Sequence, residues 1–104
     1  MSGFDNTSET VRIVTAATDT LTQNDYDILA TVGANSVINL PAVATLPPGR
    51  SYSVTKDAAA FTVTIDGAGS ELINGATTLV LASGAYHGAI LVNTGTAWFA
   101  KALY

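Results

Sequence analysis

The sequence contains no cysteine among its 104 residues, which excludes disulfide bridges and thiolate metal sites. Charge is also scarce, because Asp, Glu, Lys and Arg together make up only 12% of the chain. That share is about half of what an ordinary globular domain carries. Charge keeps small domains soluble and discourages association. We therefore expect a surface that is covered partly by Thr, Ser and Asn side chains and partly by a binding partner.

Positive charge is the scarcest, and it is scattered. The four basic residues are Arg12, Arg50, Lys56 and Lys101, and the net charge is −4. Binding to a phosphate backbone or to an anionic membrane surface needs several cations on one face. Neither nucleic acid nor a membrane is therefore expected as a partner. The sequence also has no signal-peptide pattern and no apolar run near the roughly 20 residues that span a bilayer.

The chain does contain short segments in which apolar and polar residues alternate, separated by Gly, Pro and Asn. Residues 61–66 (FTVTID) are the clearest example. Alternation at every second position predicts a strand with one apolar face and one polar face. No segment has helical periodicity. The sequence therefore predicts an all-β fold, a small antiparallel sandwich or barrel-like domain. The predicted strands are residues 10–16, 27–32, 36–40, 51–56, 61–66, 77–82, 86–93 and 97–103.

The predicted organisation is a single β domain over residues 10–104, preceded by an arm of residues 1–9. The arm is polar and small apart from Phe4. Two interpretations of the arm stay open, a frayed terminus and a segment that docks on a neighbouring molecule. In the second interpretation Phe4 is the anchor of the arm.

The last predicted strand, residues 97–103, is apolar on both faces. One face carries Phe99 and Leu103, and the other carries Trp98 and Tyr104. A strand of this kind is usually covered on both sides. A sandwich covers only the inner side, so we expect these four aromatic and aliphatic residues to lie at an interface between identical subunits.

Residues with catalytic or metal-binding chemistry are few and dispersed. His87 is the only histidine. Asp25 and Asp27 share a face of an extended chain, which allows a weak calcium contact, although a polar turn entering a strand is the favoured explanation. Asp66 and Glu71, on either side of a glycine turn, come closest to the paired carboxylates of a glycosidase. We predict no catalytic, cofactor or metal site, and therefore no enzyme.

The aromatic residues leave one further alternative open. Trp98 with Tyr52, Tyr86 and Tyr104 would form a sugar-stacking platform if their rings were exposed together. The alternative is that these rings pack in the core or at an interface, which is the commoner arrangement in a small β domain.

Five segments, in this order and spacing, resemble a module of virion proteins from tailed bacteriophages. They are residues 37–41 (VINLP), 48–54 (PGRSYSV), 63–65 (VTI), 73–76 (INGA) and 93–98 (NTGTAW). The module occurs in small β domains of tail fibres, head fibres and capsid decoration (cement) proteins. The resemblance covers residues 35–99, and nothing before residue 35 contributes to it.

The resemblance implies a homotrimer attached to a virion. Because no coiled-coil or collagen-like shaft is visible, the favoured function is a capsid decoration protein that clamps neighbouring subunits of the major capsid protein and stabilises the shell. Such a protein is made in the host cytoplasm and ends on the capsid surface, where Phe4 is the expected capsid contact. The alternative is a fibre module that recognises a host surface glycan.

Overall fold

The computed structural model describes residues 11–57 and 60–103, with Ala102 described by its backbone alone. These residues form nine strands and one short 3₁₀ helix, Val43–Thr45, so the predicted all-β class is confirmed. The strands are β1 (Val11–Val14), β2 (Thr18–Thr20), β3 (Asp27–Ala30), β4 (Ser36–Asn39), β5 (Ser51–Lys56), β6 (Val63–Asp66), β7 (Thr78–Leu81), β8 (His87–Asn93) and β9 (Trp98–Leu103).

The strands form a sandwich of two sheets. One sheet has five strands in the order β1-β3-β5-β8-β9, and the other has four in the order β2-β4-β6-β7. From β1 to β6 the chain alternates between the sheets, and neighbouring strands within each sheet run parallel. The first six strands are therefore three coils stacked on one another. The last three strands close the stack with antiparallel pairs.

These mixed sheets differ from the purely antiparallel pairing that the sequence predicted. The difference arises at the short connections, which would be hairpin turns in an antiparallel sandwich. Residues 31–35 do not fold β4 back on β3 but carry the chain around a corner into the other sheet. The corners stack through backbone hydrogen bonds, such as Thr31 N–H to the Val14 carbonyl and Val37 N–H to the Ala17 carbonyl, both 2.9 Å. Alternation fixes which face a side chain takes but not which strand pairs with it, so both topologies fit one pattern.

The core lies between the sheets and consists of the inward residues of the alternating segments. Ile28 and Val54 face it from the five-stranded sheet, and Ile38 and Ile65 face it from the four-stranded sheet, all fully buried. Their alternation in sequence predicted this correctly. One strand was missed, because β2 (Thr18–Thr20) contains no apolar residue and is held in place by parallel pairing with β4.

Asn74 and Gly75 form a tight turn, as this dipeptide favours, with positive φ angles of 51° and 86°. It joins Ile73 and Ala76, which form an antiparallel bridge. The side chain of Asn74 pairs with the backbone of β9 as a neighbouring strand would. Its Oδ1 accepts from Ala100 N–H at 3.0 Å, and its Nδ2 donates to the Ala100 carbonyl at 3.3 Å. This turn covers part of the free edge of β9, where unpaired backbone groups would otherwise invite another strand.

Candidate interaction surface

The outward side of the five-stranded sheet carries six apolar residues in two groups, and we call this side the apolar face. The first flank, on β1 and β3, consists of Val11, Ile13 and Leu29. The second flank, on β8 and β9, consists of Ile90, Val92 and Phe99. Val11, Ile13 and Phe99 remain 50%, 59% and 49% exposed, and the other three are half-buried.

A polar strip runs along β5 between the two flanks. Its outward residues are Ser51, Ser53 and Thr55, all small and hydroxylated. The register confirms the order across the sheet, since Ser53 pairs with Asp27 on one side and with Ile90 on the other. The apolar face is therefore mainly apolar at both sides, where Asp27 on β3 and the exposed Lys101 on β9 are the charged exceptions, and polar along its middle.

The polar strip is also recessed relative to the two flanks. A groove of about 330 Å³ lies along it, lined by Tyr26, Asp27, Ser51, Ser53 and Ile90. The groove exists because serines on the central strand stand between larger side chains on both neighbouring strands. Asp27 brings a negative charge to its wall.

The outward side of the four-stranded sheet has a different composition. One row across its strands consists of Thr20, Asn39, Asp66 and Thr78, all polar. The next row alternates between polar and apolar residues, in the order Thr18, Val37, Thr64 and Val80. We call this side the threonine face. Most of its side chains carry polar groups that can bond to water, as expected of a surface that stays in contact with solvent.

At the β1–β2 end of the sandwich, an ion-pair cluster closes the core. The inward positions of the first strands hold Arg12 and Asp19, whereas the same rows further into the sheets hold aliphatic residues. The guanidinium of Arg12 contacts Asp19 at 2.6 Å and Asp25 at 2.7 Å. Charges that point inward at edge strands discourage further strand addition. The addition of a further strand at this end of the stack is therefore disfavoured.

The cluster shifts the pKa values of its members. Burial raises the pKa of the Asp25 carboxyl, but the hydrogen bonds from Arg12 and from the Thr22 backbone outweigh burial, so this pKa lies below its ordinary value. The hydrogen bonds to Asp19 and Asp25 in turn raise the pKa of Arg12. Both groups remain charged at neutral pH, and the cluster persists there.

Arg50 fixes the edge of the groove. Its guanidinium lies 4.0 Å from the ring centre of Tyr26 and 4.4 Å from that of Tyr52, and it also donates to the backbone carbonyls of Gln23 and Asp25. Stacking of a guanidinium between two rings holds all three groups in a defined geometry. Burial raises the pKa of the Tyr52 hydroxyl, which donates to the Thr22 carbonyl at 2.8 Å.

Trp98, which the sequence analysis assigned to the subunit interface, lies in the core of its own chain. It is only 2% exposed and packs on Tyr52 with the ring centres 5.8 Å apart. Its side of β9 faces the other sheet, so its large apolar ring is covered within one molecule. Trp98 therefore contributes no surface to an interface.

Phe99 and Leu103 are exposed as expected, but they do not share a face. Between them β9 has a register shift opposite Ile90 and Leu91, so that Phe99 pairs with Val92 and Leu103 pairs with Ala89. Val92 belongs to the apolar face and Ala89 to the core side. The bulge therefore rotates Leu103, 57% exposed, toward the open side of the sandwich, where it lines a smaller groove with Leu79 and Leu81. Phe4 and Tyr104 lie outside the described residues.

The carboxylates considered for catalysis or metal binding are engaged structurally or lie apart. Glu71 accepts from the Val43 backbone N–H at 3.0 and 3.2 Å and so anchors the 41–50 connection. Asp25 binds Arg12, while Asp27 lines the groove on the outward side. Asp66 faces outward on the threonine face. Among the described residues, no group of three or more His, Asp or Glu side chains is arranged to hold a metal ion.

The exposed apolar face is a feature that sequence reasoning found only in part. The last strand, residues 97–103, predicted an uncovered outer side. Val11, Ile13 and Leu29 were not predicted to lie on that side. Their alternation was visible in sequence, yet only the parallel pairing of β1 and β3 with β5 brings them onto the same sheet as Phe99.

Comparison with known proteins adds no relative. No protein-family model matches the chain, and no curated protein is significantly similar to it. Across the described strands and loops, no helix has the length and hydrophobicity needed to cross a membrane.

Proposed function

We propose that this chain is a structural protein of a bacteriophage virion, a trimeric capsid decoration protein that clamps neighbouring subunits of the major capsid protein. The observation that carries the proposal is the apolar face. An exposed apolar surface on a soluble domain marks a site of protein association more often than a site of chemistry. The engaged or separated carboxylates described above agree with a function based on surfaces.

The rigidity of the fold suits a clamp. Two stacked sheets with a shared aliphatic core hold the apolar face in one shape, so that little conformational freedom is lost on binding. Three copies joined together would then present three equivalent capsid contacts. Linked contacts bind far more tightly than each contact does alone, because the second and third are made within one molecule.

The alternative, a fibre module that binds host glycans, has less support. Trp98 and Tyr52 are buried against each other and offer no exposed ring. Tyr26 lines the groove, but one side of its ring is occupied by the guanidinium of Arg50. Titration of the protein with host surface oligosaccharides tests this alternative. A saturable change in Trp98 or tyrosine fluorescence at millimolar sugar would favour it over decoration.

The decoration function is tested by counting copies in purified particles of the phage that encodes the chain. We expect a copy number of the same order as that of the major capsid protein, and a few copies per virion would exclude decoration. Particles stripped of the protein should release DNA at a lower temperature, and adding the purified protein should restore the original temperature. If restoration fails although the protein is folded and bound, the stabilising role is wrong.

A further inference from the structure

The two sheets of the sandwich differ by one strand, and this difference leaves one edge of the fold open. The chain passes between the sheets by short connections, so that β1 faces β2, β3 faces β4, β5 faces β6 and β8 faces β7. β9 is the fifth strand of its sheet, and none of the described strands of the other sheet lies opposite it. The smaller sheet therefore ends at β7, one strand short of the larger sheet.

We infer that β7 accepts one extended segment of a capsid subunit as an additional strand of the smaller sheet. The segment lies opposite β9 and places one large apolar side chain in the groove beside Leu79, Leu81 and Leu103. The residues on either side of that side chain are polar, because they continue the threonine face. The inference rests on the proposed function, since it names the part of the capsid subunit that the decoration protein holds.

The free backbone edge of β7 is the first argument. Successive residues of an antiparallel strand direct their N–H and C=O groups alternately to the two sides of the strand. Gly67 N–H donates to the Thr77 carbonyl at 3.2 Å, so in this register the odd-numbered residues of β7 bond to β6. Thr78 and Val80 therefore direct their backbone groups away from β6, and neither has a backbone partner among the described residues. Such an edge binds an extended chain by adding it to the sheet.

Of the four edge strands of the described sheets, β7 is the one without protection. At β1 and β2 the ion pair of Arg12 and Asp19 points charge inward. At β9 the side chain of Asn74 bonds to both backbone groups of Ala100. β7 (TLVL) has no charged residue, no proline and no bulge, and these are the devices by which natural sheets keep other strands away. β7 is therefore the edge that suits strand addition.

The groove beside β7 indicates the side chain that the segment brings. It has a volume of about 180 Å³ and is lined by Leu79 and Leu81 of β7, His87 and Gly88 of β8, and Leu103 of β9. The bulge in β9 turns Leu103 toward this groove, where its side chain stays exposed. An aliphatic cavity of roughly 150 Å³ is large enough to take up a benzene ring. The groove therefore has room for one leucine or phenylalanine side chain.

The unequal width of the sheets excludes a second folded copy from this edge. If β7 paired antiparallel with the β7 of another copy, each β9 would need the space opposite the other copy's β7. That space is already filled by the other copy's β8, so the larger sheets would collide. Parallel pairing about a two-fold axis along the strands would set identical backbone groups opposite each other, donor against donor. A single extended segment, which has no second sheet of its own, meets neither obstacle.

Binding of the purified protein to particles stripped of it tests the proposal. Val80→Pro removes the N–H that β7 offers at its free edge, and an edge strand tolerates proline where the N–H faces away from the neighbouring strand. We expect the affinity of Val80→Pro for stripped particles to fall by about tenfold. Val80→Thr keeps the N–H and the branched side chain, so it should bind like the native protein. Equal binding of the two variants would overturn the inference.

Leu103→Asn tests the groove, and it replaces Val80→Pro as the main test if that variant does not fold. Leu103 is 57% exposed in the isolated chain, so this substitution should leave the unfolding transition in denaturant unchanged. It should weaken binding to stripped particles, because the apolar side chain of the segment loses its contact. Native affinity of Leu103→Asn would overturn the groove as the site of that side chain.

Amide hydrogen exchange distinguishes the other occupants of the edge. The amides of Thr78 and Val80 should exchange rapidly in the free protein and slowly in the particle-bound protein. Slow exchange of both amides in the free protein would overturn the inference, because the edge would already be covered. Faster exchange after removal of residues 1–9 would then identify the chain's own arm as the occupant. Faster exchange after dilution would identify a second copy.

These outcomes separate the inference from the proposed function. If native protein, Val80→Pro and Val80→Thr all bind equally at many sites per particle, decoration stands and the inference is wrong. If the native protein is present in few copies and does not bind stripped particles, the decoration function is wrong, and the capsid segment is excluded as the occupant of the edge.

Discussion

The apolar face and the threonine face are both outer sides of sheets in the same small domain, yet they differ in composition. On the threonine face a full row, Thr20 to Thr78, is polar. On the apolar face two of the three outward rows begin with Val11 and Ile13. A sheet of this fold tolerates a mostly polar outer side, since among the described outward residues of the threonine face only Val37 and Val80 are apolar. We therefore propose that the outward apolar residues of the five-stranded sheet serve contact with another molecule.

The largest expected effect separates the inner side from the outer side of one strand. Trp98→Ala removes a fully buried ring that packs on Tyr52, and should lower the free energy of unfolding by about 3–5 kcal/mol. Phe99→Ala, one residue away on the apolar face, should change the unfolding of the isolated chain by less than about 1 kcal/mol. Denaturant titration at low protein concentration measures both. Equal losses of unfolding free energy in the two variants would show that Phe99 is as important to the folded chain as Trp98.

The next effect concerns association and compares the two faces directly. Phe99→Lys places a charge in the second flank and should weaken association by about 2 kcal/mol, roughly 30-fold for each contact between copies. The control is Val80→Lys on the threonine face, where Val80 is 55% exposed. Val80→Lys should leave association unchanged. Sedimentation velocity over a concentration series distinguishes the two variants, and equal behaviour of both would remove the contrast between the faces.

The smallest expected effect concerns the ion-pair cluster of Arg12, Asp19 and Asp25, and it depends on pH. The folded-state pKa of Asp25 lies below its ordinary value, so the unfolded chain binds this proton more readily than the folded chain does. The carboxylate therefore stabilises the fold above pH ~4, and the contribution is lost as the pH falls through the lowered pKa. Asp25→Asn should cost about 1–2 kcal/mol at pH 7 and much less at pH 2.

Chemical denaturation at the two pH values measures this difference. Asn24→Ala is the matched control, because Asn24 is exposed and adjacent in sequence, while the hydrogen bonds of Arg12 go to Asp19 and Asp25. A loss for Asp25→Asn that is the same at both pH values would show that the ion pair is not its cause.

The sequence was a good guide to the strands and a poor one to their partners. Alternation located the buried positions in residues 27–32 and 51–56, where Ile28, Tyr52 and Val54 all face the core. Outside the strands alternation is no guide, and the apolar side chain of Leu72 is exposed beside the Asn74 turn. It also could not anticipate the bulge in β9, which depends on the pairing with β8 and turns Leu103 away from Phe99.

The sequence alone determined the fold class, the positions of eight of the nine described strands, the Asn74-Gly75 turn and the shortage of charge, because each of these depends on residues that are neighbours along the chain. The tertiary structure decided that the strands coil between two sheets, that Trp98 is covered within its own molecule, and that Val11, Ile13 and Phe99 lie on one side of one sheet. These features depend on pairing between residues far apart in sequence, and alternation within a strand carries no record of its partner.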